Sequence, residues 1–123
     1  MERYGKPVFI AETAFPWRSA GSDGTPLPLI AGIAPGPAGQ VAFVRELGRI
    51  LTALPRHNGL GLCWWGAEFH PGMPFNSDGF DGRSFFDQDG QLQPVVAALG
   101  ALALPAHSSV GTPPVAPSPG DRR

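Results

Sequence analysis

The chain has 123 residues, 42% of them hydrophobic and 15% charged, with a formal net charge of −1. That is enough for one small domain with a core, but no basic stripe exists to neutralise phosphates, so no nucleic-acid partner is expected. The apolar runs are a few residues long, too short for a transmembrane helix. Met1–Pro7 lacks the apolar core of a signal peptide, and the single Cys63 excludes an internal disulfide framework.

The first element is expected over Pro7–Thr13. Val8-Phe9-Ile10-Ala11 shows no polar alternation, which suits a parallel strand covered on both faces. The run ends on Glu12. A carboxylate closing an apolar run is costly unless it is solvated, paired or employed. At a strand end it can serve as nucleophile or acid/base; the structural alternative is a pair with Arg18 or a turn cap. A long loop, Ala14–Gly36, follows and carries Phe15-Pro16-Trp17. Aromatic faces beside carboxylates are what sugar rings need, so Trp17 is a candidate platform, while Phe15 is better read as a plug.

Pro37 opens a helix, since its missing N–H would have no partner there anyway. Val41, Val44, Leu47, Leu51 and Leu54 form its apolar stripe, widened by Phe43 and Ile50, and Pro55 ends it. After a short turn, Leu60–Trp65 reads as a second buried strand, with Cys63 a small buried hydrophobe. Trp64 and Trp65 are consecutive and point to opposite faces, one toward the site and one toward the helix layer. A second long loop, Gly66–Asp89, carries Glu68 three residues beyond Trp65. Were Glu12 and Glu68 about 5–5.5 Å apart, they would suit a retaining glycosidase; a loop-holding Glu68 is the plainer alternative. The last helix is expected over Gln91–Leu104, with Asp89 as its N-cap. The Pro/Ser/Gly-rich tail, Pro105–Arg123, reads as disordered.

Strand and helix alternate with short αβ turns, which argues for a parallel α/β sheet. Both long loops fall at the carboxyl ends of the strands, the face where such folds build their sites. Two strands alone cannot cover their faces and edges, so the fold reads as unfinished. No metal or cofactor is expected. Asn76, Asp78, Asp81, Asp87 and Asp89 match no complete calcium loop, and Asx turns explain them better; His57, His70 and His107 have no zinc-ligand spacing.

The stretches "KPVFIAETAFPW", "GQ" opening the helix, "GLGLCWWGAEF" and "SFFDQDGQLQPVVAAL" together resemble the last quarter of glycoside hydrolase family 53. These are the arabinogalactan endo-β-1,4-galactanases, retaining enzymes on a (β/α)8 barrel. The resemblance covers Lys6–Leu104. It implies an α/β fold, the C-terminal βαβα portion of a TIM barrel (strands seven and eight with their helices), incomplete and spanning residues 1–104, with 105–123 as tail. It also implies that Glu12, ending strand seven, is the catalytic nucleophile. The family's acid/base is a Glu preceded by Asn at the end of strand four. No Asn-Glu pair occurs in this sequence, so the isolated chain is expected to be inactive. Trp17, Trp65 and Glu68 are the expected substrate-binding residues, for a galactan of the plant cell wall. The resemblance implies a secreted or periplasmic parent, and it carries no calcium ligand over, although some members bind calcium through these loops. Where the galactanases commonly read Tyr-Trp-Glu-Pro, this chain has Trp64-Trp65-Gly66-Ala67. The alternatives are a non-catalytic carbohydrate-binding remnant and a non-functional gene fragment.

Overall fold

The structure is a computed structural model that describes residues 5–20, 24, 26, 27, 30, 32–70 and 80–102. The tail and the expected turn residues Asn76 and Asp78 lie outside the described residues. Four main elements follow one another: β1 (Val8–Thr13), α1 (Pro37–Thr52), β2 (Gly59–Trp64) and α2 (Val95–Gly100), with short 3-10 turns at Pro55–His57 and Phe80–Arg83. β1 and β2 pair in parallel, bridged by α1. A parallel pair requires such a crossover, because a tight hairpin reverses direction.

The expected helix from Pro37 is present and ends at Thr52, whose hydroxyl donates back to the Gly48 carbonyl at 2.8 Å. Its buried face is turned slightly from the expected stripe. Phe43, Val44, Leu51 and, just past the helix, Leu54 are buried, Val41 and Leu47 are half-buried, and Ile50 is exposed. The stripe rotates toward Gly39 and Gly48 because bare backbone there admits close neighbours. A Cβ on Gly39 would run into the Ala34 carbonyl and come within 3.2 Å of Phe15. Gln40 is therefore also carried inside, and its Nε2 donates to the Phe15 carbonyl at 3.0 Å and the Ser84 carbonyl at 3.4 Å.

The second helix is shorter than expected, Val95–Gly100 rather than Gln91–Leu104. Asp89 does not cap it. Asp87 instead accepts from the backbone N–H groups of Asp89 and Gln91, at 2.9 and 2.8 Å, in an Asx turn. The expected Asx turn is present at Asp87 and ties up the backbone of Gln91, where the helix was to begin, while the Asp81 carboxylate goes to Arg18 instead. The strands are not covered on both faces. Phe9 is 50% and Leu60 41% exposed, and Cys63, expected inside, is exposed. Sequence periodicity reports an apolar face; whether anything covers it depends on the neighbouring elements, and α2 packs chiefly on α1. Among the described residues, no helix is long and apolar enough to cross a membrane.

Candidate functional site

The register of the sheet changes at the end of β1. Ile10 pairs with Leu62 and Thr13 with Trp64, so Ala11 and Glu12 together stand against Cys63. This extra residue breaks the in-out alternation, and Ala11 and Glu12 are both exposed. A β-bulge re-aims the side chain it carries and is over-represented beside active sites. Here the re-aimed side chain is the Glu12 carboxylate. It opens onto a cavity of about 310 Å³ shared with Thr13, Ala14, Pro16, Trp65 and Arg83. The cavity lies at the carboxyl ends of the strands, as the loop lengths implied.

The two consecutive tryptophans part as expected. Trp64 turns to the helix side, 6.4 Å edge-on from Phe43 and 5.6 Å from Phe85, and its indole donates to the Arg83 carbonyl at 2.9 Å. Trp65 turns to the cavity, with its ring 5.5 Å from Phe69. The backbone N–H of Trp65 donates to the Thr13 carbonyl at 2.8 Å, which ties its position to the strand end beside Glu12. Gly66 then turns the chain at φ +73°, where a Cβ would lie 2.7 Å from the Phe69 ring. A side-chain-bearing residue there would strain the turn that presents Trp65.

The loops after the two strands are joined. Trp17 donates its backbone N–H to the Gly82 carbonyl at 2.8 Å and its indole N–H to the Asp81 carbonyl at 3.1 Å. Arg18 forms an ion pair with Asp81, whose side chain is fully buried, and its guanidinium lies 4.9 Å from the Trp17 ring centroid. The structural alternative for Glu12 paired it with Arg18; in the fold Arg18 goes to Asp81. Packing decides this: Phe15 is buried against Phe43 at 5.1 Å, and the chain beyond it is led toward the 80–83 turn.

Of the residues singled out in the sequence, Glu12 and Trp65 share the cavity. Trp17 and Glu68 do not line it. Trp17 is half-buried under Arg18, and Glu68 stands exposed in the turn after Trp65. Sequence reasoning missed Arg83 and Gln40. Gln40 carried a faint signal in the Gly-Gln pair that opens the helix; Arg83, in a Gly-Arg-Ser stretch of a long loop, carried none. Among the described residues, no group of three or more His, Cys, Asp or Glu side chains is placed to hold a metal ion.

Chemically, the described lining of the cavity combines a carboxylate, a guanidinium and an aromatic face. Such a carboxylate can attack an electrophilic carbon or stabilise a cation. The described lining contains no second carboxyl group to deliver a proton to a leaving group.

Three comparisons bear on this arrangement. The family model of glycosyl hydrolase family 53 matches residues 1–99. An "Uncharacterized protein in bgaB 5′region" from Niallia circulans is 30% identical over 110 residues, covering 81% of this chain. The chain spans 30% of the length of that curated relative. No solved structure gives a significant match. The chain belongs to glycosyl hydrolase family 53, a TIM-barrel family of glycoside hydrolases.

Proposed function

We propose that this member of glycosyl hydrolase family 53 supplies the nucleophile side of a retaining site for β-1,4-galactan, with β1 and β2 as strands seven and eight of the barrel. One observation carries the reading: the register irregularity at the end of β1 turns the Glu12 carboxylate into the cavity that holds Trp65 and Arg83.

In this mechanism a Glu12 oxygen attacks the anomeric carbon as the glycosidic C–O bond breaks, giving a covalent glycosyl-enzyme that water then hydrolyses. Trp65 stacks on a sugar ring. Trp17, its ring under Arg18 and its indole engaged by Asp81, is read as support for the loop rather than as a platform. Glu68, exposed in the turn after Trp65 and outside the cavity lining, is read as a contact for a more distant part of the polymer. The proton for the leaving oxygen comes from an acid/base Glu that the described cavity lining does not contain, so the isolated chain is inactive. A polymeric cell-wall substrate places the parent's work outside the cytoplasm.

The test uses a longer form of the protein, if its transcript encodes one with an Asn-Glu pair closing a strand. Glu12→Ala abolishes its hydrolysis of an activated β-galactoside, and added azide restores turnover with an α-galactosyl azide as product. A β-azide, or full activity in Glu12→Ala, overturns the assignment. Galactan hydrolysis by the isolated chain that disappears in Glu12→Gln would overturn its expected inactivity and point to Glu68 as acid/base. A non-catalytic sugar-binding remnant is the second reading, favoured by the single carboxylate among the described lining residues. It predicts saturable quenching of tryptophan fluorescence by galacto-oligosaccharide without turnover in the extended protein.

A further inference from the structure

The segment 81–84 is held at every backbone carbonyl. Asp81 accepts from the Trp17 indole at 3.1 Å, Gly82 from the Trp17 backbone N–H at 2.8 Å, Arg83 from the Trp64 indole at 2.9 Å, and Ser84 from Gln40 at 3.4 Å. Three of these four residues face inward: Asp81 and Ser84 are fully buried, and Gly82 is buried as well. A Cβ on Gly82 would lie 2.5 Å from Leu27 and 3.3 Å from Arg18. Arg83 alone of the four is half-exposed, and it lines the cavity of Glu12 and Trp65.

A turn immobilised on four consecutive carbonyls spends many donors to aim one side chain. Long cationic side chains lose much rotamer freedom when they bind, and a fixed backbone lowers that cost. A guanidinium also presents its donors in a rigid fork suited to paired oxygen acceptors, such as vicinal sugar hydroxyls.

We propose that Arg83 is a substrate-contacting residue of the Glu12 cavity, donating to the hydroxyl oxygens of the bound sugar, and that Asp81, through its pair with Arg18, is the positioning residue that holds it there. This rests on the glycosidase reading above and names a contact within that site.

The probe is β-1,4-galactotriose, titrated into the full chain and followed by the Trp65 indole resonance. Arg83→Gln weakens binding about tenfold or more, as loss of a charge-assisted hydrogen bond does, and Arg83→Lys recovers part of it. Asp81→Asn weakens binding to a similar extent, and the double variant is no weaker than Arg83→Gln alone. Hydrogen exchange of the Trp17 and Trp64 indoles stays slow in Arg83→Gln and quickens in Asp81→Asn, while the Trp65 backbone amide, bonded to Thr13, keeps its protection. Binding unchanged in Arg83→Gln overturns the contact, and this variant alters an already half-exposed side chain. Additive losses in the double variant overturn the positioning role, as does equal loss of protection at all amides in Asp81→Asn. If the unsubstituted chain binds no galactotriose while the extended protein passes azide rescue, the Arg83 assignment falls and the catalytic reading stands. The converse pair of results leaves Arg83 a sugar contact without a nucleophile beside it.

Discussion

The side of the sheet beneath α1 and the open side beside α2 are built from similar residues with opposite outcomes. Beneath α1, Phe15 is 1% exposed and stacks at 5.1 Å on Phe43, Val44 and Leu51 are buried, and Trp64 meets the cluster edge-on. Toward α2, Phe9 and Leu60 line a groove of about 550 Å³ with Leu62 and Phe85, Trp64 forms the boundary between the two regions, and Leu99 and Leu102 border the groove without filling it. The α1 side also supports the cavity, because Phe15 leads into the Trp17 loop and Gln40 bonds to Ser84. The site's walls are therefore braced by the closed half of the molecule. Among the described residues, β1, which carries Glu12, and β2, which leads into Trp65, have no further strand beside them, an arrangement that two strands do not sustain well by themselves.

The largest expected effect breaks the closed half. Phe43→Ala removes the ring shared by Phe15 and Trp64 and costs about 3–5 kcal/mol in urea unfolding, a large part of any small domain's stability. A chain with no cooperative transition to begin with would break the comparison at its root. Phe9→Ala, on the open side, costs about 1 kcal/mol or less, since half of that ring is already in water. Alongside it, Cys63 reacts stoichiometrically with a thiol reagent in the absence of denaturant; protection of either residue would show that the groove is covered in solution. Arg56→Gly sharpens the picture at the turn between α1 and β2. Arg56 sits at φ 59°, a left-handed conformation that glycine adopts freely, so the change stabilises by about 0.5–1 kcal/mol. A loss of stability there would mean that the Arg56 side chain holds something worth more than the strain.

The smallest effect lies on the solvent face of α1. The hydrogen bonds from Arg49, at 2.8 and 2.6 Å, hold the Glu46 carboxyl below its ordinary value. A lowered folded value means that the pair's contribution is present above the unfolded value and is lost as pH falls through the folded one. Both groups are exposed, so Glu46→Gln moves the melting temperature only marginally, and less still at high salt. A shift as large as that of Phe43→Ala would show that the two halves are not divided as described.

Much of the fold was legible because it is local. Val8-Phe9-Ile10-Ala11, the spacing from Val41 to Leu54 and the Pro37 start each announce an element within a few residues. The division of Trp64 and Trp65 followed from the strand's period of two. The last helix was overextended because apolar spacing does not reveal that Asp87 would spend its carboxylate on the backbone of residues 89 and 91. Cys63 was misjudged because a strand's hydrophobicity does not say whether a partner covers it. The alternative that pairs Glu12 with Arg18 fails because the partner of Arg18 is 63 residues away.

The sequence by itself determined the order β-α-β-α, the long loops at the carboxyl ends of the strands, and Glu12 as the carboxylate closing the first strand, since each depends on neighbours a few bonds apart. Only the tertiary structure decided that a register irregularity turns Glu12 outward, that Trp65 shares its cavity and Trp17 does not, and that Arg83 is delivered there by a turn pinned at four carbonyls. Those outcomes depend on which side chains meet across the two loops. Such meetings are set by packing around Phe15, Gln40 and Phe43, and no local pattern in the chain encodes them.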